Sequence, residues 1–207
     1  MGGPNHAKRV GAGAGKRPFD VAIKLALKER LANSRAARRE YDLQNAHPGE
    51  LQALLKARPV AMDRRLARRF VDLRQDVLLS RGPSVTLVDI RRMRERIQHE
   101  LSRDSTESGV FDIKLGPGGL EELEFMVQYL QMKHCREHPG LLVPATLDAL
   151  RRLAAARVLD SASAASLRET YLFYRTIETL LRLRGEAVLR GDSQSLHSAG
   201  RFMAMDG

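Results

Sequence analysis

The stretch Gly116-Pro-Gly-Gly119 can sustain neither a helix nor a strand, and it stands directly before the chain's clearest apolar rhythm. Behind it, Leu120, Leu123, Val127, Leu130 and His134 recur at steps of 3, 4, 3 and 4. That spacing places them on one face of an α-helix, and Phe125, Met126 and Tyr129 widen the apolar face. Pro139-Gly140 is the expected stop. The same period recurs elsewhere. Asp63 reads as the N-cap of a helix carrying Leu66, Phe70, Leu73 and Val77. Leu51, Leu54 and Leu55 predict a short helix that halts at Arg58-Pro59.

Arg81-Gly-Pro-Ser84 predicts a turn, and Leu87, Ile90, Met93 or Arg94, Ile97 and Leu101 predict a helix over 85–101. Residues 146–157 and 163–183 carry two more helical stripes, the second through Leu167, Tyr171, Tyr174, Ile177 and Leu181. Helices are also expected over 20–39 and, more weakly, over 193–203, with a polar loop at 102–109. Only residues 110–115 alternate as a strand does, and six residues cannot make a sheet alone. The expected fold class is all-α: a helical bundle with at most one short extended segment near 110–115.

Composition agrees with that class. Apolar residues make up 43%, enough for a core, whereas aromatics are 5% and Trp is absent, which argues against an all-β sandwich. One cysteine, Cys135, excludes an intrachain disulfide and a Cys-rich zinc site. Uncharged runs such as 139–147 fall far short of the ~20 residues of a membrane span. Lys24 and Lys28 break the apolar stretch a secretory signal would need, and His6 occupies the Ser/Thr position of a myristoylation site. The expected address is the cytoplasm.

Lys and Arg total 35 against 25 Asp and Glu, and the excess is not spread evenly. Residues 1–110 hold 23 basic and 13 acidic side chains, whereas 111–207 hold 12 of each. Arg35, Arg38 and Arg39, then Arg64, Arg65, Arg68 and Arg69, then Arg91, Arg92, Arg94 and Arg96 fall in predicted helices. Such a half can face nucleic acid, nucleotide phosphate or an acidic protein, although a solvated helix surface is the ordinary outcome.

Individual motifs are mostly incomplete. Gly11-Ala-Gly-Ala-Gly-Lys16 fails the P-loop spacing, with Val10 where the first glycine belongs and Arg17 in place of Ser or Thr. His134 and His138 stand one turn apart without a third ligand, which favours capping or packing over a metal. Glu121, Glu122 and Glu124 suit the positive end of a helix dipole. A glycine turn opening a helix can also present N–H groups to an anion, with Lys114 adding charge. No Asp-x-Asp pair occurs anywhere in the chain.

The run Phe111-Asp-Ile-Lys-Leu-Gly-Pro-Gly-Gly-Leu-Glu-Glu-Leu-Glu-Phe-Met-Val-Gln-Tyr-Leu-Gln131 resembles the bacterial glutamine synthetase adenylyltransferase/adenylyl-removing enzyme family, at the start of the main helix of its helical domain. Gln52-Ala-Leu-Leu-Lys-Ala-Arg-Pro-Val-Ala61 resembles the tail of that family's nucleotidyltransferase domain. Glu137-His-Pro139, Thr146-Leu147 and Tyr171-Leu-Phe-Tyr-Arg-Thr-Ile-Glu178 also fit, so the likeness spans about residues 50–190 and points to the C-terminal half of the family.

The resemblance implies transfer of AMP from ATP to glutamine synthetase, with ATP and magnesium as cofactors of the parent enzyme and the PII signalling protein and glutamine as regulators. Residues 1–17, small, Gly-rich and basic without periodicity, read as a disordered tail. With the resemblance, the expected division continues as a helical remnant of the end of the nucleotidyltransferase domain at 18–80 and the helical domain at 84–207. The family's Gly-Ser turn and Asp-x-Asp strand should precede residue 50 and are absent, and Gly49-Glu50-Leu51 stands where Trp-Glu is usual. The expectation is therefore an inactive fragment that binds no cofactor alone. Lys114, Gly118, Gly119 and Arg58 are the candidate contacts to phosphate or to an interdomain joint. Glu124 and Gln128 are the candidate anchors of the glycine turn. The competing expectation is a non-enzymatic basic helical adaptor that binds nucleic acid or an acidic partner. The lack of aromatics and of a DNA-reading motif makes nucleic acid the poorer partner.

Overall fold

Pro48 opens helix α1 (Pro48–Lys56), where a missing N–H is no loss, and the Glu50 carboxylate accepts from the His47 N–H at 3.0 Å. The computed structural model describes residues 47–61, 63–101 and 109–190, all within the unit Tyr41–Gly207. The expected basic tail, the helix over 20–39, the polar loop at 102–109 except for Gly109, and the closing segment at 193–203 lie outside the described residues.

Helix α2 (Arg64–Arg81) begins at Asp63, whose carboxylate accepts from the N–H groups of Arg65 and Leu66 as the sequence predicts. A 3-10 turn over Gly82–Ser84 leads to α3 (Leu87–Leu101). Helices α4 (Leu120–His134), α5 (Thr146–Ala155) and α6 (Ser161–Leu183) follow, the last capped by Asp160, which accepts from the Ser163 N–H. The class is all-α.

The one extended element is shorter than its alternation predicts. Only Val110–Phe111 (β1) is strand, paired antiparallel with Leu189–Arg190 (β2) in the register Val110 to Arg190 and Phe111 to Leu189. Asp112 ends it: its buried carboxylate accepts from the N–H groups of Lys114 and Leu115 at 3.1 and 2.9 Å, which turns the chain.

Helix α4 organises the core because it is apolar on two sides. Phe125, Tyr129 and Met132 join Leu51, Leu55, Val77, Leu78 and Ile90 in one cluster. Leu123, Val127 and Leu130 join Leu141, Leu150 and Leu153 in another. The two α4 stripes are offset by two residues, about 200° around the helix, so they look in opposite directions. Helices α1 to α3 therefore pack on one side of α4, and α5 and α6 on the other.

Helix α4 stops at His134, earlier than Pro139-Gly140 predicts. Cys135 and Arg136 leave the helix to meet the carbonyl end of α2. The Cys135 thiol lies 3.4 Å from the Leu78 oxygen, and the Arg136 guanidinium donates to the oxygens of Leu79 and Ser80 at 3.0 and 2.8 Å. Carbonyls that a helix end would leave unpaired are thus satisfied by the neighbouring helix. Burial pushes the Cys135 thiol above its ordinary pKa.

Candidate functional site

The glycine turn is closed by its own backbone. Gly116 N–H bonds the Asp112 oxygen, Gly119 N–H the Gly116 oxygen, Leu120 N–H the Ile113 oxygen and Glu121 N–H the Lys114 oxygen, all within 2.7 to 3.0 Å. Gly118 has φ +71°, a conformation natural to glycine, and its N–H donates to the Glu122 carboxylate at 2.8 Å. Gly119 has no room for a side chain: a Cβ there would sit 2.8 Å from the Ile113 oxygen and 2.9 Å from the Gly116 oxygen. The N–H groups singled out as anion donors, those of Gly118 and Gly119, are therefore both engaged inside the turn. Lys114 is half-buried and lends its backbone to it at both ends.

The acidic residue that fastens the turn is Glu122. The Glu122 carboxylate oxygen that accepts from Gly118 lies 2.8 Å from the Arg94 guanidinium, which brings α3 onto the head of α4. Sequence reading assigned the anchoring to Glu124 and Gln128. The Glu124 carboxylate points the other way: one oxygen accepts from the Tyr171 hydroxyl at 3.2 Å and the other lies 3.6 Å from the Lys56 ammonium. Lys56 also donates to the Thr146 hydroxyl at 2.8 Å. Four side chains from α1, α4, α5 and α6 thus meet in one polar cluster. Gln128 is buried on α4, and no side-chain hydrogen bond from it to the turn occurs among the described residues.

Burial raises the Tyr171 pKa, opposed by the Thr146 hydroxyl and reinforced by the Glu124 charge. A phenol whose folded pKa is raised binds its proton more tightly when folded. Its contribution is complete below the unfolded value of about 10 and is lost as pH rises through the folded value. Tyr171→Phe is expected to cost about 1 kcal/mol at pH 7 and to flatten the alkaline loss of stability. Denaturation followed at neutral pH and above pH 10 checks both.

Arg74 is the residue that sequence reading missed. It is 7% exposed, yet its guanidinium donates to the oxygens of Leu54 at 2.9 Å, Leu55 at 2.6 Å and Leu142 at 3.3 Å. It therefore caps the carbonyl end of α1 and ties it to the segment between α4 and α5. Burial lowers its pKa, but a guanidinium stays protonated at neutral pH. The available signal was positional: Arg74 lies four residues from both Phe70 and Leu78, on the buried face of α2.

Of the remaining candidates, Arg58 is exposed in the connection after α1. His134 lies 3.7 Å from Glu137, and no group of three or more His, Cys, Asp or Glu side chains among the described residues could hold a metal ion. Glu122 and Glu124 both face cations, Arg94 and Lys56.

The match to known proteins follows this geometry. The family model described as GlnD PII-uridylyltransferase covers residues 91–194, just over half of the chain, and so takes in the glycine turn, α4, α5 and α6. The chain belongs to this family. Its curated relatives carry the name bifunctional glutamine synthetase adenylyltransferase/adenylyl-removing enzyme, in keeping with the resemblance read from residues 111–131. The protein of Streptomyces avermitilis is 38% identical over 160 residues, which is 75% of this chain and 16% of the relative. That of Xanthomonas campestris pv. campestris is 39% identical over 146 residues, or 67% and 15%. That of Nitrosococcus oceani is 36% identical over 150 residues, or 72% and 15%. The chain thus spans about a sixth of the length of the adenylyltransferase relatives it matches. No described helix is long and apolar enough to cross a membrane.

Proposed function

We propose that this chain is the helical part of a bacterial glutamine synthetase adenylyltransferase/adenylyl-removing enzyme, and that it positions AMP transfer without performing it. The reading is carried by 38% identity to such an enzyme in a chain that contains no Asp-x-Asp pair. In-line nucleotidyl transfer needs carboxylates that hold magnesium and align ATP. Here Glu122 and Glu124 are committed to Arg94 and to Lys56 and Tyr171. ATP and magnesium accordingly belong to the nucleotidyltransferase centre of the parent enzyme, and no step is assigned to them on these residues. Glutamine synthetase is the target and PII the regulator in this reading, which sets the protein in the cytoplasm.

The glycine turn has a structural task in this scheme. With its N–H groups engaged internally and Glu122 bridged to Arg94, it fixes how α3 meets α4. The cluster of Lys56, Glu124, Thr146 and Tyr171 fixes α1, within the proposed nucleotidyltransferase remnant, against the helical domain. Lys114, Gly118 and Gly119 then order a joint between domains.

The test uses the full 207-residue chain with glutamine synthetase, ATP and magnesium. No AMP incorporation is expected from the chain alone. Addition of a separately produced nucleotidyltransferase domain from a relative is expected to give incorporation above that of the domain by itself. AMP incorporation by the chain alone overturns the proposal.

A further inference from the structure

Behind its Asp63 cap, helix α2 carries basic side chains in its first two turns. The positive end of a helix dipole favours acidic side chains, yet after Asp63 the first turn of α2 has none and holds Arg64 and Arg65, with Arg68 and Arg69 in the next. All four are exposed. The ion pairs among the described residues use Lys56, Arg94, His134, Arg151, Arg175 and Arg182, and none uses these four. A cluster of four exposed cations that no ion pair among the described residues neutralises marks a surface that serves something outside the fold.

We infer that the N-terminal half of α2 is a docking surface for a carboxylate-rich face of a partner protein. The stretches of these 207 residues outside the described ones do not match it in charge. Residues 1–46 hold ten basic and four acidic side chains, and residues 102–108 and 191–207 each hold one basic and two acidic. None has the carboxylate excess that four guanidinium groups require. A protein fits this surface better than a nucleic acid for two reasons. Exposed Leu66 and Val71 lie among the arginines, and arginine mixed with aliphatic surface is the composition of protein interfaces. The same helix then presents exposed Asp72 and Asp76. The positive stretch from residue 64 to 69 is only about 8 Å long, and a phosphate backbone continuing along the helix would meet carboxylates. A protein surface can match such a change of sign. The inference does not depend on the proposed role in AMP transfer.

The full chain is titrated with poly-L-glutamate and, separately, with a 20-base-pair DNA duplex. Two variants carry the same charge change in different places: Arg65→Glu/Arg68→Glu/Arg69→Glu on α2, and Arg91→Glu/Arg92→Glu/Arg96→Glu on the exposed side of α3. Poly-L-glutamate is expected to bind at low salt and to weaken as salt is added. The α2 variant is expected to bind it at least about 10-fold more weakly, and the α3 variant less than about 3-fold more weakly. The α2 variant should melt no lower than the parent, since glutamate suits the start of a helix, so lost binding is not lost folding. Three results overturn the inference: no binding of poly-L-glutamate, equal loss in both variants, or tighter binding of DNA that disappears in the α2 variant.

Discussion

Arg74→Ala is expected to lower the stability of the chain by about 3 kcal/mol. The guanidinium donates to the carbonyls of Leu54 and Leu55 at the end of α1 and of Leu142 between α4 and α5, and of these Leu54 also accepts from the Ala57 N–H at 3.1 Å. Removing it takes the guanidinium from the Leu55 and Leu142 oxygens and leaves Leu54 only its Ala57 N–H, and exposing buried acceptors in this way costs more than the net worth of the bonds. Arg74→Lys is expected to restore less than about half, because one ammonium cannot reproduce the planar fork that reaches both segments. Urea denaturation of the variants at pH 7 measures both. A loss below 1 kcal/mol for alanine would mean that water replaces the guanidinium without penalty.

Gly119→Ala is expected to cost about 3 kcal/mol, because the new methyl group would meet backbone rather than a movable side chain. Three carbonyl oxygens surround the position, those of Ile113, Gly116 and Lys114, and each is at or inside 3.2 Å of the added carbon. The turn has to open to admit it, which loosens the hydrogen bonds holding Leu120 and Glu121 to the preceding loop. Gly118→Ala provides the contrast. Open space surrounds that position, so only its φ of +71° resists a side chain, and a loss of about 1 kcal/mol is expected. Thermal denaturation of the two variants side by side tests whether close approach or dihedral preference dominates the turn.

Much of the bundle was legible because its signals are local. The 3-4 spacing behind Gly119 marked α4, Asp63 marked the start of α2, and Arg81-Gly-Pro-Ser84 marked the break before α3. What escaped depends on residues far apart in the chain. Arg74 looks like one more basic residue until Leu142 is brought to it, and Glu124 looks like a dipole residue until Lys56 and Tyr171 arrive. The second strand, Leu189–Arg190, has too few residues to show alternation, and only pairing with β1 reveals it. The exit of α4 at His134 is set by the carbonyl end of α2, which Arg136 must reach. The anion-site idea had sound local chemistry, a glycine turn before a helix. Periodicity could not show that the turn's own carbonyls and Glu122 already occupy its donors.

Cys135 gives the molecule a built-in clock. It is the chain's one thiol, fully buried between α2 and α4, and burial raises its pKa. An alkylating reagent can reach it only when those two helices part. The rate of labelling therefore counts separations of α2 from α4 and discriminates local opening from global unfolding without any engineered probe.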